Sequence, residues 1–160
     1  MKKMIVLVLT LVCVLGMVGC DQTKKESIEF PFETEDVLSI EMYRFPGTDG
    51  SAEKKMITNK GDITALYTSF AKLSLTKEEV EETAEAEITS FRFNLSDGTS
   101  YDLIYYGYDI KKGTLKSKAG DFEYFTIADI GGYWDGLLST ELEATIVDIS
   151  EMPQYGDSLS

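Results

Sequence analysis

The stretch FRFNLSDGTSYDL, residues 91–103, carries the clearest secondary-structure pattern of the chain. Apolar and polar side chains alternate on both sides of Asp97-Gly98. Strict alternation is typical of half-buried strands, and an Asp-Gly pair between two such runs is a strong hairpin signal. We therefore predict an antiparallel hairpin centred on this pair.

The length of the loop decides which side chains face each other across this hairpin. A two-residue loop would pair Phe93 with Asp102 and bury a carboxylate beside the apolar row. A three-residue loop, 96–98 with Gly98 in the left-handed conformation, satisfies every side chain. We predict the three-residue loop, which gives the cross-strand pairs Phe93–Tyr101, Phe91–Leu103 and Arg92–Asp102.

Residues before the hairpin carry signals for two strands and a helix. Val37–Phe45 is rich in branched and aromatic residues, and 54–58 reads as the strand that returns after a turn at 46–50. The next apolar residues recur with helical period, which predicts an amphipathic helix: Ile63, Leu66, Tyr67, Phe70 and Leu73. Asn59 or Asp62 is suited to cap it.

Residues after the hairpin continue with short strands separated by turns. We predict strands over 114–118 and 122–126, a short helix or loop over 129–138, and either a strand or a helix over 144–149. The predicted fold class is α+β: an N-terminal β-hairpin, one amphipathic helix, then a four-stranded antiparallel meander with a short C-terminal helix.

The N-terminus has the three parts of a secretory leader. Lys2-Lys3 precede an apolar run over 4–18, which is shorter than the ~20 residues of a spanning helix. The ending Val18-Gly19-Cys20 resembles the lipobox of bacterial lipoproteins, although Met17 departs from the usual leucine. The resemblance implies that Cys20 receives a diacylglycerol and becomes the first residue. An ordinary cleaved leader with a chance cysteine is the alternative.

The predicted division of the chain follows from this leader. Residues 1–19 are a lipoprotein signal peptide, 20–36 the lipidated cysteine and a flexible tether, 37–152 a single α+β domain, and 153–160 a frayed tail. Through SIEMY, DITALYTSFAKL, LSDGTSYDL and GGYWDGL, residues 37–138 resemble small uncharacterised lipoproteins of Gram-positive bacteria. That resemblance implies a location in the cell envelope and a fold without a defined activity. The sequence does not distinguish a Gram-positive from a Gram-negative envelope.

Composition excludes several function classes. The net charge is −13, which opposes binding to nucleic acid. The chain has no histidine, and its two cysteines are Cys13 and Cys20. Serine–histidine–aspartate triads, cysteine nucleophiles and histidine or cysteine zinc sites are therefore excluded from the mature domain. The acidic run over 78–87 lacks the ligand spacing of a calcium loop, so we expect neither metal nor cofactor.

The candidate ligand contacts lie on one face of the predicted hairpin. Tyr106 and Tyr108 share this face with Arg92 and Asp102. Exposed aromatic rings can stack on sugars or bind peptides. No residue is assigned a catalytic role. Carboxylates suitable for acid–base chemistry are present without a spacing that marks a pair: Asp102, Asp109, Asp121, Asp129 and Asp135.

These features predict a lipid-anchored, extracytoplasmic module of the cell envelope without enzymatic activity. Its partners would be the membrane, through the lipid on Cys20, and an unknown protein, peptide or glycan. One alternative is a carboxylate-dependent glycan hydrolase. Another is an acidic inhibitor or immunity-type protein that covers a basic target.

Replacing Cys20 by Ala is expected to abolish incorporation of labelled fatty acid and to release the protein from the membrane fraction. The physical reason is that two acyl chains hold a protein at a bilayer, whereas a chain without lipid has no such anchor. Cys13→Ala, inside the leader, is the matched control and should retain the label. Label that persists in Cys20→Ala would contradict lipidation at this residue.

Overall fold

One antiparallel sheet of nine strands dominates the part of the chain that the computed structural model describes, residues 25–45, 50–77, 86–109, 111–139 and 141–154. The elements in chain order are β1 (Lys25–Glu26), β2 (Val37–Phe45), β3 (Ser51–Ile57), α1 (Lys60–Ala71), β4 (Leu75–Thr76), β5 (Glu87–Leu95), β6 (Ser100–Asp109), β7 (Lys112–Ser117), β8 (Phe122–Thr126), α2 (Tyr133–Gly136) and β9 (Thr145–Asp148). The spatial order of the strands is β1-β4-β8-β7-β6-β5-β2-β3-β9.

The central hairpin, β5–β6, has the predicted register. Phe93 faces Tyr101, and the other two predicted pairs are also present. The loop is closed by a hydrogen bond from Leu95 N to Thr99 O at 2.9 Å. Gly98 has a φ of 86°, so the prediction of a left-handed residue at this position is confirmed.

The predicted architecture around this hairpin is wrong. A four-stranded meander, β5 to β8, does not stand apart from the N-terminal hairpin, because β2 pairs with β3 on one side and with β5 on the other. The sheet continues through β4 and β1 beyond β8, and through β9 beyond β3. Strands of two residues such as β1 and β4 are too short to show a period, and the partner of β2 is chosen by tertiary packing.

Helix α1 covers the centre of one sheet face. The N–H groups of Gly61 and Asp62 donate to Asn59 Oδ1 at 2.8 and 3.2 Å, which identifies Asn59 as the cap. The predicted apolar stripe faces the sheet, and four of its five members are buried. The ring of Phe70 packs edge-on against Phe91 with centroids 4.8 Å apart.

The ordered domain begins before residue 37. Ile28 and Phe32 are buried in the main core, and Phe30 stacks on Tyr67 at 4.6 Å. The Tyr67 hydroxyl also donates to Phe32 O at 2.9 Å. The C-terminal part of the predicted tether therefore belongs to the folded domain, since its aromatic side chains complete the core under α1.

The C-terminal residues cover part of the opposite sheet face. Met152 is buried against Tyr43 and Ala52, and the Ser90 hydroxyl donates to Pro153 O at 3.1 Å. Residues 144–149, for which the sequence favours either a strand or a helix, contain the strand β9. Pro153 is buried rather than frayed, while residues 155–160 of the predicted tail, the leader and most of the acidic run lie outside the described residues.

Gly98→Ala is expected to lower the free energy of unfolding by about 1–2 kcal/mol, because an L-residue is strained in the left-handed region. Gly136→Ala is the matched control. A Cβ atom at either position meets no atom within 4 Å, but Gly136 has an ordinary φ. Chemical denaturation should show a loss for the first variant and none for the second. Equal effects would contradict the backbone explanation.

Candidate functional site

A cleft of about 460 Å³ opens along one face of the sheet, where β5 and β6 extend beyond the core. Its wall is formed by the segment that follows β8. Four carboxylates line it, and two of them come from strands while two come from that segment: Glu87, Asp109, Asp129 and Asp135. The cleft therefore presents four acidic side chains on a sheet framework.

The ring of Tyr105 forms the aromatic part of the cleft. It lies against Gly107 of its own strand, β6, and Gly113 of β7. A Cβ on Gly107 would approach the Tyr105 Cε1 to 3.1 Å, and one on Gly113 would overlap the ring. Burial and, to a smaller extent, the charges of Asp129 and Glu87 together raise the pKa of the Tyr105 hydroxyl to about 12. The ring thus sits in a negative environment that favours its neutral form.

Asp129 is held at the cleft by a local turn. The N–H of Gly132 donates to Asp129 Oδ1 at 2.9 Å. A Cβ on Gly132 would come within 2.8 Å of this carboxylate, so the close approach requires glycine. Ile130 between them is fully buried, which anchors the turn in the core.

Trp134 holds the C-terminal part of the segment that follows β8 and forms the wall of the cleft. Two cations lie over its ring, with Arg44 Cζ 4.8 Å and Lys55 Nζ 4.6 Å from the centroid. Lys55 Nζ also donates to Trp134 O at 2.8 Å. Because Trp134 is buried and held in this way, the adjacent Asp135 stands at the rim of the cleft, 3.8 Å from Arg44 Nη1.

Arg44 is engaged mainly by a residue outside the cleft lining. Its Nε and Nη2 donate to Glu53 Oε2 at 2.9 and 2.7 Å. The guanidinium charge is thus largely balanced by Glu53, and the carboxylates of the lining dominate the local electrostatics.

Thr89 is a buried polar residue in the lining. It lies on β5 between Arg44 of β2 and Tyr105 of β6, and it is 1% exposed. Among the described residues its hydroxyl has no hydrogen-bond partner. An unpaired buried hydroxyl costs free energy, so a native protein retains one where something else satisfies it.

The structure does not bring the four predicted contact residues together. Tyr108 lines the cleft, whereas Arg92 and Asp102 form a bidentate pair on the opposite face, at 2.9 and 3.1 Å. Tyr106 also lies on that face, with Lys116 Nζ 5.0 Å from its ring centroid. Their role in ligand contact stays a prediction, and only Tyr108 belongs to the cleft.

Three of the five carboxylates considered from the sequence line the cleft, namely those at 109, 129 and 135. Asp102 is paired across the sheet, and Asp121 lies in the β7–β8 turn with a φ of 49°. Sequence reasoning missed Glu87, Thr89 and Tyr105 as site residues. No local signal pointed to these three residues. Asp129 alone carried one, since Gly132 follows it by three residues, a spacing at which an aspartate can accept from a backbone N–H.

Two further properties concern the described part of the chain. Within it, no group of three or more acidic, histidine or cysteine side chains is placed to hold a metal ion. No helix in the same residues has the length and apolar character needed to cross a membrane.

Comparison with known proteins identifies no relative: no protein-family model, characterised protein or solved structure matches the chain.

The environment of Tyr105 predicts a pH dependence of stability. The pKa of Tyr105 is raised from 10 to about 12, so its hydroxyl ionises less readily in the folded than in the unfolded chain. The contribution of this residue to the free energy of unfolding is therefore complete below pH 10 and is lost as the pH rises through 12. This difference in pKa corresponds to roughly 2–3 kcal/mol in the free energy of unfolding. Urea unfolding between pH 8 and pH 12 should show a steeper loss for the wild type than for Tyr105→Phe. Identical slopes in the two proteins would contradict the assignment.

Proposed function

We propose that this protein is a lipid-anchored, extracytoplasmic binding module of the cell envelope, and that the carboxylate-lined cleft is its ligand site. The observation that carries the proposal is the cleft itself. It combines a concave surface, an aromatic ring and four acidic side chains on one side of a sheet.

Support for a binding role comes from how rigidly the cleft is supported. The Tyr105 ring packs against Gly107 of its own strand and Gly113 of β7. Asp129 and Asp135 flank a turn anchored by buried Ile130 and Trp134. Ligand sites are usually preformed in this way, because order that exists before binding does not have to be created on binding.

Support for a place at the membrane comes from the lipobox-like leader and from the length of chain that follows it. Between Cys20 and the start of β1 at Lys25, a fully extended chain spans at most about 18 Å. A domain anchored through Cys20 would therefore stay close to the bilayer, and its ligand would have to be available there.

A second candidate is a carboxylate-dependent glycan hydrolase. The observation that favours it is the presence of Asp109, Asp129 and Asp135 in one cleft, since such enzymes use two acidic residues across the scissile bond. Release of sugar fragments from purified envelope glycan by the wild type, and its loss in Asp129→Asn, would favour this candidate over a binding module.

The binding module is tested by chemical crosslinking of the full-length anchored protein in its own envelope. We expect specific adducts with the wild type and at least a fivefold loss in the double variant Asp129→Asn/Asp135→Asn. Asparagine keeps the shape of the side chain and removes the charge that attracts the ligand.

The matched control is Glu141→Gln/Glu143→Gln, which removes two exposed charges away from the cleft. Its adducts should equal those of the wild type. Adducts that are unchanged in the Asp129→Asn/Asp135→Asn protein would show that the ligand binds elsewhere. Absence of specific adducts in all three proteins would refute the binding module.

A further inference from the structure

We propose that the cleft binds the alkylammonium group of an organic cation, with the carboxylates and the Thr89 hydroxyl as acceptors and the Tyr105 ring as an apolar wall. This inference rests on the proposed function, because it names the chemical class of the ligand at that site.

The charge of the lining selects for a cation. Glu87, Asp109, Asp129 and Asp135 contribute four carboxylates, against the single guanidinium of Arg44. That guanidinium is already engaged by Glu53 at 2.7 Å. A cation is attracted into such a cleft, and an anionic ligand is repelled by it.

The shape of the site selects for an organic cation. A volume of about 460 Å³ falls in the range of small-molecule pockets, and the acidic residues are distributed around it, from two strands and from the segment after β8. Tyr105 adds an aromatic face, on which an ammonium and its methylene groups pack favourably. A hydrated metal ion would make no use of this wall.

Thr89 indicates where the nitrogen would lie. Its hydroxyl is buried and has no hydrogen-bond partner among the described residues. An ammonium group has three N–H donors. It can donate to the Thr89 hydroxyl and use its other N–H groups for carboxylates of the lining, which would satisfy a buried side-chain oxygen that has no partner among the described residues.

An ammonium on a methylene chain has two biological sources, a lysine side chain in a peptide and a polyamine. Both present the same group to the cleft. They differ in what surrounds it, because the lysine nitrogen is attached to a peptide backbone, whereas a polyamine has further ammonium groups along its chain.

Trp134 provides the readout. It is the single tryptophan of the chain, and it lies beside Asp135 and under the Arg44 guanidinium. Its fluorescence is to be followed in the full-length protein at low ionic strength, during titration with N-acetyl-lysine methylamide and with spermidine. We expect a saturable change that weakens as salt is added. The tighter of the two compounds identifies the source.

Two variants test the assignment of the acceptors. The titration midpoint should rise at least tenfold in Asp129→Asn/Asp135→Asn and three- to tenfold in Thr89→Val, which removes the hydroxyl at constant shape. Glu141→Gln/Glu143→Gln should stay within twofold of the wild type. Circular dichroism and urea unfolding establish that each variant is folded.

Three results would overturn the proposal: no saturable response to either amine, an equal response to hexan-1-ol, or a response to calcium chloride at comparable concentration. These are distinguishable from failure of the proposed function. Cleft-dependent adducts in the envelope together with no response to amines would refute the ammonium ligand and retain the binding module. A response to amines that Thr89→Val and the acidic variant leave unchanged would place the binding elsewhere and refute the proposal.

Discussion

The pairing of β2 with β5 is the interaction on which the rest of the structure depends. It joins the N-terminal hairpin to the strands that follow α1 and runs from Val37 opposite Leu95 to Phe45 opposite Ile88. At its centre Ile40 faces Phe93, and both side chains are completely buried. Full burial of side chains of this size contributes about 1.5–3 kcal/mol each. The apolar row across these strands also forms the surface on which α1 packs.

The same strands that build the core also build the cleft. Along one face of β5, Phe93 and Phe91 are followed at the same two-residue period by Thr89 and Glu87. The first two are covered by α1, and the last two extend beyond it into the cleft. Because side chains alternate strictly along a strand, the register that buries the phenylalanines also orients the site. Core and site are therefore coupled, and a register slip would destroy both.

Charged side chains are arranged differently on the two faces of the sheet. On the face away from the cleft, acidic and basic residues of neighbouring strands form pairs. Arg92 Nε lies 2.9 Å from Asp102 Oδ1, and Lys54 Nζ lies 3.2 Å from Glu41 Oε1. Each partly exposed pair contributes little to stability. The cleft lining, by contrast, brings four acids together with the single guanidinium of Arg44, so negative charge is in excess there.

Local patterns in the sequence determined the β5–β6 register, the left-handed Gly98 and the apolar stripe of α1, because alternation, loop length and helical period depend only on neighbouring residues. The partner of β2 and the grouping of Glu87, Thr89 and Asp129 were decided by tertiary structure alone. Residues far apart in the chain meet there because burial of the apolar row fixes which strands pair, and no local spacing records that choice.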